Sequence, residues 1–340
     1  MKHGLRHLVL ACALTLVTGP AIAAKTPAPS KDALAQDKAQ IAFQRDLVSV
    51  LATQVDAMPL LGAALLARPL ADQPKNNSFA ALIKRATYAD GTGPAITWMR
   101  LADCDAKAGN CPNAASLEQL LAQAPDNAAT WLIKLGTDVH DGKQDDARQD
   151  LARAAAAKSY DDYTGVSLKA LAGAVGTLPP PAGSFDAARK GGAIGMQTVL
   201  AFGMASSQPQ PTLQLVAQLC EGAAEDASIK SDCLKLGKVL EWGSSPLARS
   251  LGLHLREKLS DQPDQQQDAV RARRTLVWQV QNFGQLLARV QDDPAIAQRL
   301  LALARNGGTE MSLMLAALRD NNIPVDAPAD WEPGKAKSEK

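Results

Sequence analysis

Along most of the chain, apolar residues recur at helical spacing in short segments. No segment alternates apolar and polar residues over the length of a strand. Strict alternation marks a half-buried β-strand, whereas apolar residues three and four positions apart mark one face of a helix. The apolar content is carried by alanine and leucine, with only 4% aromatic residues, which favours closely packed helices over strands. The pattern therefore predicts an all-α protein.

Proline, glycine and asparagine bound these segments, and one break among them is stronger than the rest. It is "TLPPPAGS" at 177–184, because three consecutive prolines cannot continue a helix. We therefore predict an N-terminal helical half, 32–178, and a C-terminal helical half, 184–321. The predicted helices cover 32–57, 59–68, 78–89, 94–105, 112–123, 127–141, 144–158, 185–206, 211–223, 227–242, 246–260, 264–291, 294–305 and 309–321.

The clearest of these helices is 264–291. A buried stripe is predicted there by apolar residues that step by four and three, namely Leu276, Val280, Phe283, Leu287 and Val290. Three arginines open its apolar half and are interpreted as its solvated face: Arg271, Arg273 and Arg274. The segment that follows 321 is rich in proline and charge, which predicts a disordered tail over 322–340.

The beginning of the chain has the pattern of a secretion signal. Lys2 and Arg6 precede an apolar run at 8–17, and small residues follow at 21–23. This pattern predicts a signal peptide over 1–23, a flexible leader over 24–31, and a periplasmic or secreted protein of bacterial type. Cys12 has only four apolar residues before it, so a lipoprotein signal is disfavoured. No later segment approaches eighteen uninterrupted apolar residues, so no transmembrane anchor is expected.

Four cysteines follow the predicted signal: Cys104, Cys111, Cys220 and Cys233. An even number in an exported protein indicates two disulfides, for which three connectivities exist. Six residues separate the first two cysteines and twelve separate the last two, and each gap suits a corner between two helices. We therefore favour the two local pairings. Zinc is disfavoured because the closely spaced cysteine pairs and supporting histidines of a zinc site are missing.

Two tryptophans lie at a repeat-like spacing. Trp98 and Trp131 are 33 residues apart, and each follows a threonine near a predicted helix start. Gly142 ends the helix that carries Trp131, and Ala147 and Ala154 follow on the next predicted helix. A large residue, a glycine turn and two small residues in this order resemble the tetratricopeptide repeat, a helix pair of about 34 residues. The resemblance covers 95–158 and implies a helix-pair solenoid or α/α superhelix there.

The repeat pattern is degenerate. Leu135 occupies the usual small site, Gly136 comes one residue late, and Asp138 stands where the family places an aromatic side chain. The resemblance implies that Trp131 is buried against the helix that carries Ala147 and Ala154. It also implies that the first helix of each pair lines a concave face. The candidate partner-binding residues on that face are Arg100, Asp103, Lys134 and Asp138, with Ile133 beside them.

Residues that carry common catalytic or metal chemistry are sparse. His140 and His254 are the only histidines after the predicted signal, and neither belongs to a zinc-binding histidine pair. Neither GxSxG nor Ser-x-x-Lys occurs. The segment 103–110, "DCDAKAGN", lacks the glycine and glutamate that close a calcium loop. Gly191 and Gly195 lack the order of a dinucleotide-binding loop and are interpreted as allowing close helix contact. We expect no cofactor and no metal.

The net charge gives no sign of a nucleic-acid partner, because the chain without residues 1–23 has 34 basic and 35 acidic side chains. Three pairs of adjacent aspartates, at 145–146, 161–162 and 292–293, fit helix starts, where negative charge is favoured. We therefore expect an exported, non-enzymatic helical-repeat scaffold that binds an unknown protein or peptide. The alternative is a cell-envelope enzyme that uses scattered carboxylates in an α/α fold, because such chemistry leaves no local motif.

Overall fold

A computed structural model describes residues 30–206, 208–222 and 226–333, and this part of the chain is all-helical. It contains no β-strand beyond an isolated bridge between Asn127 and Ser159, so the all-α prediction is confirmed. The helices are α1 Lys31–Leu51, α2 Ala57–Ala67, α3 Phe79–Thr87, α4 Pro94–Arg100, α5 Ala114–Gln123, α6 Ala128–His140, α7 Gln144–Ala156, α8 Thr164–Ala174, α9 Gly192–Ala205, α10 Leu213–Gly222, α11 Ala227–Glu241, α12 Pro246–Leu259, α13 Pro263–Arg289, α14 Pro294–Asn306 and α15 Glu310–Asp320.

Side-chain caps explain why the helix starts could be placed from the sequence. The oxygen of a capping side chain accepts a hydrogen bond from an otherwise unpaired N–H of the first turn. The residues that do so are Ser30, Ser78, Asn113, Asn127, Asp226, Ser245, Asp293 and Thr309. The predicted signal peptide, and with it Cys12, lies outside the described residues. The predicted leader is too long by two residues, because Ser30 already caps α1 and Lys31 belongs to that helix.

The helix α8 has no counterpart among the predicted helices. It packs against α2, α9 and α14, and most of its residues are buried. A helix surrounded by other helices has no polar face, so it lacks the amphipathic pattern that identifies a surface helix. The backbones of α2 and α8 approach closely, since a Cβ added at Gly62 would lie 2.8 Å from the carbonyl oxygen of Ala170.

The largest hydrophobic cluster joins the two predicted halves, since it contains residues from Phe43 on α1 to Leu313 on α15. Contacts of α8 with α9, and of α7 with α11, run through it. The close contact expected at Gly191 and Gly195 is confirmed at the edge of this core. A Cβ added at either glycine would lie within 2.6 Å of the carbonyl oxygen of Val290.

Both disulfides are local, as predicted. The S–S distance is 2.01 Å between Cys104 and Cys111, and 1.97 Å between Cys220 and Cys233. Disulfides persist in oxidising compartments such as the extracellular space and the periplasm. The bonds therefore point to such an environment, while export itself stays a prediction. Within the described residues, no helix has both the length and the apolar character that a membrane span requires.

The buried face of α13 differs in one position from the prediction. Leu276 and Val290 are buried, and Phe283 and Leu287 are partly buried, but Val280 is 44% exposed. Leu286, which is 2% exposed, supplies the buried position instead. The prediction of a disordered tail is wrong for residues 322–333, which pack along α13 and include a buried Trp331.

Candidate functional site

Two residues of the predicted partner-binding face, Lys134 and Asp138, lie in an ion cluster between α6 and α7. Asp138 is 2% exposed and accepts a hydrogen bond from Nζ of Lys134. Asp150, on α7, is 3% exposed, and its Oδ2 lies 3.6 Å from the same Nζ. The prediction that Asp138 faces a partner is therefore wrong, because its carboxylate is committed to a buried contact between two helices.

This cluster shifts the pKa values of its members. Burial, reinforced by the hydrogen bond to Asp138, raises the pKa of Asp150 to about 6 against the opposing charge of Lys134. Burial alone would lower the pKa of Lys134, but Asp138 and Asp150 raise it above its usual value. Lys134 therefore remains charged and compensates two buried carboxylates, which would otherwise be costly to desolvate.

The prediction that Trp131 is buried is wrong. Its ring is partly exposed and lies 4.7 Å from the guanidinium of Arg153 on α7, while Nε1 donates to the carbonyl oxygen of Pro125 at 2.7 Å. Ala147 and Ala154 are buried as expected, and α6 and α7 pack against each other. The tryptophan therefore covers the edge of this helix pair instead of filling its interior.

A groove of about 1140 Å³ lies beside α6. One wall is the loop that the Cys104–Cys111 disulfide closes, and the opposite wall is the segment 209–212. The α6 face between them presents Ile133, Gly136, Thr137 and His140. Of the residues predicted for the partner-binding face, Asp103 and Ile133 line this groove. Arg100 instead ends α4, and its buried Nε has no hydrogen-bond partner in the part of the chain that the structure describes.

Specific contacts hold the two walls of the groove in place. Trp98, which is fully buried, donates from Nε1 to the carbonyl oxygen of Pro209 at 3.2 Å. Gly136 allows Thr212 to approach α6, because a Cβ at Gly136 would lie 2.6 Å from its Oγ1. On the other side, Asn113 donates from Nδ2 to the carbonyl oxygen of Asp103 at 2.8 Å. Gly136, which comes late for the repeat pattern, is thus required by this contact.

The groove has more carboxylates than cations in its lining. Asp103, Asp105 and Asp141 lie along it, together with Arg68 and His140. A hydrogen bond from Lys143 and the charge of that lysine lower the pKa of Asp141, which therefore stays ionised at neutral pH. The groove thus offers the carboxylates of Asp103 and Asp105 next to the polar backbone of an irregular loop, while Asp141 is already paired with Lys143 at 2.9 Å.

Two smaller cavities lie elsewhere on the protein, one of them beside His254. A cavity of about 450 Å³ with a mostly apolar lining lies between α1 and α9. A shallow groove of about 840 Å³ contains His254, whose Nε2 lies 2.5 Å from Oε1 of Glu221. His254 thus connects α12 to α10, as a residue on a helix face, and His140 is exposed in the last turn of α6. In the described residues, no group of three histidine, cysteine or acidic side chains is placed to hold a metal ion.

A second pair of carboxyl groups lies where three loops meet, before α8, α12 and α15. Asp162 is 1% exposed; its Oδ1 accepts from the hydroxyl of Ser244 at 3.2 Å, while Oδ2 has no hydrogen-bond partner among the described residues. Burial, and then the negative charge of Asp162, raises the pKa of Glu310 to about 7. The sequence placed Asp161 and Asp162 at a helix start, and the proximity of Asp162 to Glu310 arises from the tertiary packing.

The raised pKa of Glu310 predicts a pH-dependent stability. The folded protein holds the proton of the Glu310 carboxyl group more tightly than the unfolded chain does. The stabilisation that this protonated group provides is therefore complete below about pH 4 and is lost as pH rises through 7. The free energy of unfolding of Glu310→Gln, relative to that of the parent, should therefore rise by about 2–3 kcal/mol when the pH is raised from 5 to 8. Urea unfolding at both pH values measures the difference. Glu118→Gln, at an exposed position on α5, is the control and should follow the parent.

No family model, curated protein or solved structure matches this chain. The site therefore has to be interpreted from its own geometry. One wall of the groove contains residues that the sequence analysis had named. Asp103 was predicted to face a partner, and the segment "DCDAKAGN" was compared with a calcium loop. The opposite wall, 209–212, is more than 60 residues further along the chain than α6 and carries no motif.

Proposed function

We propose that this protein is an exported, non-enzymatic scaffold that binds an extended, basic segment of a partner protein in the groove beside α6. The observation that carries the proposal is the groove itself, which is open to solvent and has Asp103, Asp105 and Asp141 in its lining. A surface with one sign of charge attracts and orients a partner of the opposite sign. The degenerate tetratricopeptide-like pair of α6 and α7 supplies the rigid support for one side of the groove.

The character of the lining favours polar recognition over the burial of a hydrophobic ligand. The loop wall brings backbone groups to the groove, and Asn110 and Gln210 add side-chain amides. An extended peptide presents its own N–H and C=O groups at regular intervals, and such groups pair well with amides and carbonyls. With an open lining that mixes polar and apolar groups, the affinity expected is micromolar and salt-sensitive.

The placement of the two acids with the most strongly raised pKa values weighs against an enzyme. Asp150 lies between α6 and α7, and Glu310 lies at the loop junction beside Asp162. Neither lines one of the cavities described above. A catalytic acid must reach the proton that it transfers, so acids inside helix contacts serve the packing of the chain. A cell-envelope enzyme with scattered carboxylates therefore remains the less supported alternative.

Unstructured peptides of equal length that carry three lysines, three glutamines or three glutamates would test the proposed function by fluorescence anisotropy. The lysine peptide should bind most tightly, and added salt should weaken its binding because exposed charges are screened. Asp103→Asn should weaken it by about twofold to fivefold, as expected for one exposed ion pair. Asp46→Asn, at an exposed position on α1, is the control for one lost charge elsewhere. Equal binding of the lysine and glutamate peptides would contradict the proposal.

A further inference from the structure

The cavity of about 450 Å³ between α1 and α9, which we call the α1–α9 cavity, lies on a different part of the protein from the groove beside α6. α1 packs on α2 and on the short turn Ala182–Ser184, whereas α9 packs on α8 and α14. Phe185, which follows that turn, also lines the cavity. Cavities of about 300–1,000 Å³ are of the size that binds small organic molecules. The α1–α9 cavity therefore has room for such a ligand.

Apolar side chains from both helices line the cavity. Ile41 on α1 and Val199 on α9 are each 42% exposed, so the cavity leaves apolar surface in contact with solvent on two of its walls. A ligand that covers this surface would remove apolar area from water, which is favourable. Met196 and Met204 belong to the same lining, and methionine side chains adapt to the shape of what they contact. The interior is thus suited to an apolar molecule.

Three glutamines on α1 give the cavity a polar wall. Gln36, Gln40 and Gln44 are four residues apart, so they share one face of the helix, and all three line the cavity. Gln44 is 8% exposed and donates from Nε2 to the carbonyl oxygen of Leu66 at 2.6 Å, which fixes its orientation. A few polar groups that converge on an apolar cavity determine how a ligand is oriented in it. The ligand should therefore have one polar end.

The charges that line the cavity favour a positive group at that polar end. Asp37 has no ion-pair or hydrogen-bond partner among the described residues, and Asp186 accepts from the backbone N–H of Ala188 at 2.9 Å. The basic residue of the lining, Arg189, is already paired, since its Nε lies 3.1 Å from Oδ1 of Asp292. The two carboxylates of the lining are thus left without a compensating cation. Such a site attracts a cation and repels an anion.

We propose that the α1–α9 cavity binds a small molecule with an apolar body and a positively charged head. The apolar body packs against the side chains of α9 and against Phe185, while the head meets the glutamine wall and Asp37. The inference does not rest on the proposed function, because the cavity and the groove beside α6 share no lining residue.

Alkyl compounds of equal chain length test the ligand class, with the full chain and isothermal titration calorimetry. At pH 7, octylamine is a cation, octanol is neutral and octanoate is an anion. Octylamine should bind most tightly and octanoate most weakly. From hexylamine to octylamine, each added methylene should tighten binding about fourfold, as expected when each one is buried.

Gly203→Leu tests whether the ligand occupies this cavity. Gly203 lines the cavity near the end of α9, and a Cβ added there would meet no atom within 4 Å, so the fold accommodates a side chain. Leucine also favours a helix more than glycine does. The new side chain should fill part of the cavity and weaken octylamine binding at least about tenfold.

Gly173→Leu is the matched control. Gly173 lies near the end of α8, outside the lining, and a Cβ added there also meets no atom within 4 Å. Its octylamine binding should equal that of the parent. Circular dichroism checks that both variants keep their helices.

Asp37→Asn tests the preference for a cation. It should narrow the difference in affinity between octylamine and octanoate by about twofold to fivefold, as expected for one exposed ion pair. Octanol binding should not change. Asp46→Asn, at an exposed position of the same helix outside the lining, should leave the affinities of all three compounds unchanged.

Three outcomes would overturn the proposal. They are octanoate binding as tightly as octylamine, equal octylamine binding by Gly203→Leu and Gly173→Leu, and a parent chain whose dimers, seen by analytical ultracentrifugation, are lost in Gly203→Leu. The last outcome would assign the cavity to a second copy of the chain. The peptide experiment on the groove beside α6 is decided separately, because it depends on other residues.

Discussion

Trp98→Ala should lower the free energy of unfolding by about 3–5 kcal/mol, the usual cost of truncating a fully buried tryptophan. The ring is fully buried, stands edge-on to Tyr163 with centroids 5.5 Å apart, and donates a hydrogen bond to Pro209. Truncation would leave a cavity and would release the 209–212 wall of the groove from its anchor. Urea or thermal unfolding measures the stability, and peptide binding to the groove should weaken at the same time.

Trp131→Ala provides the comparison within the same chain. Its ring is partly exposed, and its main partner is the guanidinium of Arg153, a contact worth about 0.5–1 kcal/mol near a surface. The loss should therefore be several-fold smaller than for Trp98. Equal losses would mean that the two tryptophans have equivalent environments, as a regular repeat would require and as this structure does not show.

Lys134→Met should lower the free energy of unfolding by about 3 kcal/mol at pH 8, because removing one partner leaves buried charge without compensation. Asp138 and Asp150 are each almost fully buried, and both contact the Nζ of Lys134. Methionine keeps most of the volume of the lysine stem, so the change reports charge more than packing. Denaturant unfolding monitored by circular dichroism gives the difference.

The cost of Lys134→Met should shrink as the pH falls. The pKa of Asp150 is already raised to about 6 in the parent, and loss of the cation would raise it further. A carboxyl group with a raised pKa is stabilising when protonated, so the variant recovers stability between pH 8 and pH 5 as Asp150 takes up its proton. Lys84→Met, at an exposed position on α3, is the matched control, and little change is expected for it at either pH. A loss for Lys134→Met that is the same at both pH values would show that charge is not its cause.

Most helices could be located from the sequence, because a residue within one turn of the helix start caps it. Ser78, Asn127 and Asp293 each cap the helix that follows them. The cysteine spacing likewise predicted both disulfides, since a short gap limits the possible partners. The helix α8 was missed for the opposite reason, since its buried surroundings come from α2, α9 and α14 and leave no polar face to identify it.

Long-range contacts account for the errors at the candidate site. Lys134 and Asp138 have the spacing of a surface ion pair, and only the approach of Asp150 from α7 makes their position a buried one. The segment 209–212 forms a groove wall because Trp98 donates a hydrogen bond to it and Gly136 leaves room for it. Neither contact can be predicted from the sequence of the segment itself. The docking of 322–333 similarly depends on donors on α13, more than 40 residues earlier in the chain.

The position of α8 determines the order in which this chain can complete its fold. The helix precedes the three prolines at 179–181, yet it packs against α9 and α14, and Arg305 donates from Nε to the carbonyl oxygen of Ala172 at 3.0 Å. During synthesis from the N-terminus, α8 therefore emerges long before the helices that cover it. Contacts so distant in sequence form late and slowly. Until residue 305 is available, α2 can cover one side of α8, but the sides that α9 and α14 cover in the complete fold remain exposed.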